Sequence, residues 1–137
     1  MATLKTNTLT GTSTAGSIAV TGEGNSTTTN LQQGLCKAWA GCQTSGDGGG
    51  DPTIVDSFNH ASLTDNGTGD YTTSFSNAFG SANYVSCAVP SRGLGDTSLS
   101  ANVHTRAASS YRCECSRDNS TKTDAANYSS SHFGDLA

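Results

Sequence analysis

The chain has 137 residues, a mass of 13.9 kDa, a net charge of −4 and a pI near 5.0, the size of one domain or of a small domain with a tail. Leu, Ile, Val and Phe number only 19, while Ser and Thr fill 40 positions beside 16 Gly, below the ~20% of large apolar residues that ordinarily supports a core. No run approaches the ~20 apolar residues of a membrane span, the acidic balance lacks the basic footprint of nucleic-acid binding, and Met1-Ala2-Thr3-Leu4-Lys5-Thr6-Asn7 has no apolar signal-peptide region.

A lone chain of this composition buries little apolar surface against the entropy of ordering it. Copies that supply the missing core to one another are the expected remedy. The sequence therefore predicts an all-β oligomer, most simply a homotrimer: a small antiparallel β-sandwich or barrel knob over 35–137, preceded by an extended Ser/Thr/Gly-rich leader over 1–34.

The leader contains one strand-like island, Ser17-Ile18-Ala19-Val20-Thr21. Between Asn30 and Trp39, one or two helical turns would place Leu31, Leu35 and Trp39 on one face with Asn30 as cap, and a strand starting near Leu35 fits equally well. Ile18, Val20, Leu31, Leu35 and Trp39 are the candidate trimer or attachment contacts, with Trp39 as the anchor where leader meets knob. A flexible loop is expected over 41–52, around the glycines at 46 and 48–50.

From Thr53 the pattern is β. Residues 53–60 predict a strand with Ile54 and Phe58 on one face. Asn66-Gly67 and Gly69 predict a hairpin turn, returning through Tyr71-Thr72-Thr73-Ser74-Phe75. Residues 83–89 place Val85, Cys87 and Val89 together. Residues 99–106 turn Leu99, Ala101 and Val103 inward and Asn102, His104 and Arg106 outward. Residues 111–115 bury Tyr111, Cys113 and Cys115, and a last strand covers 128–133.

Five cysteines (Cys36, Cys42, Cys87, Cys113 and Cys115) in odd number and uneven spacing read as reduced thiols rather than a disulfide framework. Cys113-x-Cys115 is too close for the usual zinc pair, and strand periodicity accounts for it as core packing. His60, His104 and His132 fall on different elements, so shared metal ligation would need symmetry-related copies on a three-fold axis. Asp65-Asn66-Gly67-Thr68-Gly69-Asp70 lacks the spacing and terminal Glu of a calcium loop and reads as a turn. The glycines at 46–50 lack the Lys-Ser/Thr of a phosphate loop, and no nucleophile elbow or acid–base carboxylate pair stands out. An enzyme, a cofactor and a metal are not expected. The late basic residues Arg92, Arg106, Arg112, Arg117 and Lys122 alternate with Asp96, Glu114, Asp118 and Asp124, a solvated mixed-charge surface. The N-x-S/T triplets at Asn25, Asn66, Asn119 and Asn127 follow from composition. Tyr71, Tyr84 and Tyr111, with outward-facing His104, are the candidates for surface recognition, ordinary cross-strand aromatic packing being the preferred account of the tyrosines.

Gly34-Leu35-Cys36-Lys37-Ala38-Trp39, Asp56-Ser57-Phe58-Asn59, the block from Ser62-Leu63-Thr64-Asp65 through Asn66-Gly67-Thr68-Gly69 to Asp70-Tyr71-Thr72, and Ala82-Asn83-Tyr84 resemble, in order, a small β-knob of virion proteins from aquatic tailed bacteriophages, commonly labelled tail fibre proteins. The resemblance covers most of 34–90, and residues 16–25 resemble the leaders of such proteins. After the Trp the family tends to have a longer aromatic strand, where this chain has Ala40-Gly41-Cys42-Gln43 and a glycine-rich loop. The resemblance implies a structural virion protein: a short trimeric tail or adsorption fibre, or a head fibre or capsid decoration protein. Its expected partners are its own copies, other tail or capsid proteins, and a host-surface glycan or receptor. A carbohydrate-binding module without a virion role is the alternative from another class.

Overall fold

A computed structural model describes residues 3–11, 18–21, 28–44, 51–91, 99–117 and 121–137. The chain divides into two compact units, Met1–Leu35 and Cys36–Ala137. In the first, β1 (Ala19–Thr21) pairs antiparallel with β2 (Thr28–Asn30). A single helical turn, α1 (Leu31–Gly34), follows, and the Leu31 amide donates to the Ile18 carbonyl at 2.8 Å. Part of the expected extended leader is thus a small sheet. The shared helical face of Leu31, Leu35 and Trp39 does not form, because α1 ends at Gly34 and Trp39 belongs to a strand.

The second unit is two antiparallel sheets. One has the order β4 (Thr53–Phe58), β3 (Ala38–Gln43), β11 (Asn127–Phe133), β7 (Val85–Ser91). The other runs β5 (His60–Gly67), β6 (Asp70–Phe75), β9 (Ser110–Arg117), with β8 (Leu99–Ala107) also on β9 and the two-residue β10 (Thr121–Lys122) bonding the end of β9. An all-β, antiparallel sandwich is therefore the architecture. Among the described residues no helix is long and apolar enough to cross a membrane.

The core lies where alternating residues of the two sheets meet. Ala38, Ala40 and Cys42 of β3 and Tyr128, Ser130 and His132 of β11 face Tyr71, Thr73 and Phe75 of β6 and Tyr111, Cys113 and Cys115 of β9. This core is aromatic and polar rather than aliphatic, so it is wired by hydroxyls. Thr73 Oγ1 and the Tyr128 hydroxyl are 2.6 Å apart, and the Tyr111 hydroxyl and Ser130 Oγ 2.8 Å apart. The Tyr84 hydroxyl donates to the Ser110 carbonyl at 2.9 Å. Buried hydroxyls so paired avoid the cost of unsatisfied polar atoms.

The hairpin expected at Asn66-Gly67 forms between β5 and β6, with the turn itself at Thr68-Gly69. Gly67 (φ 121°) and Gly69 (φ 62°) take the left-handed backbone the turn needs. A Cβ on Gly69 would sit 2.5 Å from the Cys115 carbonyl and 2.7 Å from the backbone of Thr123.

Three other expectations are corrected. Gly41, Cys42 and Gln43 are strand rather than loop. Ile54 and Phe58 lie on opposite faces, because a bulge inserts Val55 between the Ile54–Cys42 and Asp56–Gly41 pairs and shifts the alternation. Tyr71 and Tyr84 are core residues, 0% and 4% exposed. Tyr71 stacks on Tyr128 with ring centroids 5.8 Å apart, and Tyr84 on Phe79 at 4.3 Å. Neither ring is available for surface recognition. The glycines at 46–50, Ser17, Asn25, Asn119, Arg92, Asp96 and Asp118 lie outside the described residues.

Candidate functional site

The two outer faces of the sandwich differ in chemistry. On the β6–β9 side, Asp70 is 4% exposed beneath two cations. Arg112 donates through Nε and Nη2 to its two carboxylate oxygens, each at 2.6 Å, and Lys122 Nζ adds a third bond at 2.8 Å. Lys122 also reaches Glu114 at 2.5 Å, and Glu114 lies 3.3 Å from His104 Nε2. The Arg112 guanidinium above all, with Lys122, holds the Asp70 carboxyl well below the usual carboxylate range. Asp70, His104 and Glu114 bring three ligand atoms within 4.8 Å of one another. Arg112 and Lys122 already take both Asp70 oxygens and Oε1 of Glu114, a cationic surrounding that opposes a divalent ion. The network belongs to the solvated mixed-charge surface, and His104 is one of its members.

In the seam between the sheets, His60 and His132 lie 5.7 Å apart, ring to ring, within an aromatic box of Phe75, Tyr84 and Tyr111. Ser86 Oγ and His132 Nδ1 are 2.9 Å apart. His132 Nε2 and both ring nitrogens of His60 are buried without a hydrogen-bond partner. Desolvation pushes His60 down to about 4; desolvation, with His60 beside it, pushes His132 down to about 3. A serine–imidazole contact with no orienting carboxylate and so weakly basic a ring does not make a nucleophile–base pair.

Cys113 and Cys115 are fully buried, as strand alternation predicts. Hydrogen bonding to Cys115 and burial push the Cys113 thiol far above its usual range, which keeps it protonated and inert.

The outer face of the β4–β3–β11–β7 sheet is apolar. One row crosses all four strands as Phe58, Trp39, Ser131, Cys87, and the next pairs Phe133 with Val85. A third row runs Asp56, Gly41, Ser129, Val89. Fractional exposures are 40% for Trp39, 52% for Phe58, 37% for Phe133, 67% for Val85 and 60% for Val89, with the bulge residue Val55 at 68%. Cys87 is the exposed thiol among the five cysteines. A polar row of Thr53, Gln43, Asn127 and Ser91 bounds one end of the face.

Of the candidate contacts, Val20 and Leu35 are exposed, and Ile18 and Leu31 half-buried, in the first unit. Trp39 lies in the second unit, grouped with Phe58, Phe133, Val85 and Val89. Alternation singled out Val85, Cys87 and Val89 as sharing a face, and the surface role of that face is what the sequence alone left unread. No family model, curated protein or solved structure matches the chain.

Proposed function

We propose that this chain is a structural protein of a tailed-phage particle: a short homotrimeric tail or adsorption fibre, with a head fibre or capsid decoration protein as the alternative seat. The observation that carries this reading is the apolar, nearly uncharged outer sheet face. It suits the packing of protein on protein far better than it suits chemistry on a small substrate. The ordered resemblance over most of 34–90 supports the same conclusion, since its blocks fall on β3, β4, the β5–β6 hairpin and the approach to β7. In this account residues 1–34 attach to the particle by adding a strand to a partner sheet or by threading along it. Residues 35–137 project as the knob toward a host-surface glycan or receptor.

The test is immunogold electron microscopy on particles of a phage that encodes the chain. Label at the tail tip supports the fibre role, and label over the capsid supports decoration. A chain lacking residues 1–30 should keep the melting temperature of its knob and vanish from the particles. Particles with no copies of the full chain would overturn the proposal.

A further inference from the structure

We infer that the outer face of the β4–β3–β11–β7 sheet is where copies of this chain meet. The inference deepens the self-association part of the proposed function and rests on it. Three observations point to this face. First, the chain holds ten Val, Phe and Trp residues, and six of them (Val55, Val85, Val89, Phe58, Phe133 and Trp39) are exposed here. A composition so poor in large apolar side chains leaves them in water at a cost that only a covering surface removes.

Second, the sandwich is asymmetric. The opposite outer face carries Arg112, Asp70, Lys122 and Glu114 in a continuous ion-pair network, with His104 beside Glu114. Among the described residues of its four strands this one carries a single carboxylate, Asp56, near its edge. One face is built for water and the other is not. Third, the area fits. Aromatic side chains offer ~150–250 Å² each and valines somewhat less, so the quoted exposures amount to on the order of 500–600 Å² of apolar surface. That is the upper end of what monomers leave bare. With its polar border of Thr53, Gln43, Asn127 and Ser91, it approaches the ~800 Å² per partner of a standard stable interface.

The occupant is a second copy rather than a sugar. Sugar recognition sets hydrogen-bonding groups beside each stacking ring, whereas within their own rows Trp39 and Phe133 sit with Phe58, Val85, Cys87 and one hydroxyl, Ser131, and Asp56 and Ser129 fall in the next row, on either side of Gly41. Charge-depleted centres with aromatic side chains and a polar margin are the make-up of homo-oligomer interfaces. In a trimer the three faces turn toward a common axis, and each copy closes the apolar rows of the others.

The test compares the full chain with a Val85→Lys, Val89→Lys double variant. Both side chains are more than half exposed on an edge strand, so the changes spare the inner core. Size-exclusion chromatography with light scattering reads the mass, and the reaction of Cys87 with Ellman's reagent reads whether the face is covered. The parent should be an oligomer whose Cys87 reacts at least tenfold more slowly than in the variant. The variant should be monomeric with the parent's circular dichroism, and dilution of the parent to nanomolar concentration should speed Cys87 without any substitution. An oligomeric variant with parent-like Cys87 protection overturns the assignment of this face while self-association stands. A parent that is monomeric at high micromolar concentration overturns both, as does a monomeric parent that binds immobilised polysaccharide through Trp39.

Discussion

Acidification should destabilise the sandwich through the imidazoles of His60 and His132, whose unpartnered ring nitrogens are buried. A histidine in the unfolded chain titrates near 6.5, whereas folded His60 and His132 hold out to about 4 and about 3. Both folded values are depressed, so below pH 6.5 the unfolded chain binds more protons and stability falls with pH. The contribution is complete above 6.5 and is lost progressively down to pH 3–4. Each unit of separation is worth ~1.36 kcal/mol per group. At pH 5 two fully buried rings would cost about 4 kcal/mol, and discounting His60, which is only half-buried, leaves about 3 kcal/mol. Against the ~5–15 kcal/mol of a typical domain, that is a large share. The assay is urea unfolding followed by circular dichroism at pH 7.5, 6.5, 5.5 and 5.0, at one fixed protomer concentration because association shifts apparent stability. A His60→Gln, His132→Gln variant, if folded, should lose most of the slope between pH 6.5 and 5. Parent stability that changes by less than ~1 kcal/mol from pH 7.5 to 5, or an undiminished slope in the variant, would refute the desolvation argument.

Other consequences concern single sites. Gly69→Ala forces a side chain into a left-handed turn and against the Cys115 and Thr123 backbone, and should cost ~3 kcal/mol or more, read as a lower urea midpoint. Asp70→Asn removes the carboxylate that Arg112 and Lys122 cover. It should cost ~1–2 kcal/mol at pH 7 and abolish the stability lost as pH falls below the unfolded carboxylate range near 4, which Asp70, with its depressed folded value, otherwise supplies. A Cys113→Ala, Cys115→Val double change alters packing only and should cost ~1–2 kcal/mol, while chelators leave the parent's melting temperature unchanged; a chelator-induced drop would show the pair to be ligands.

Much of the fold was legible because strand periodicity survives a sparse apolar composition. Tyr111-Arg112-Cys113-Glu114-Cys115 alternates buried and less buried side chains as its sequence suggests, and the glycines around Thr68 fix the hairpin. Phe58 departs from the face it shares with Ile54 in simple alternation because a bulge at Val55 changes which face the strand presents, and nothing in Thr53-Ile54-Val55-Asp56 signals an extra residue. Trp39 fits a helix or a strand in the sequence because the helical turn Leu31–Gly34 stops short of it and the strand begins only at Ala38. Tyr71, Tyr84 and Tyr111 pack in the core, as cross-strand aromatic packing predicts, because so polar a chain has little else to build a core from. The sequence does not pair His60 with His132, because only the folded sandwich brings together rings 72 positions apart. The apolar outer face was invisible for a related reason: alternation says which side chains share a face and not whether another sheet covers it.

In the proposed role, copies of this chain complete one another's apolar packing. Sedimentation equilibrium of the full chain across the micromolar range tests it most directly. Three times the 13.9 kDa protomer mass is expected, and a single-protomer mass at every concentration would rule out self-association.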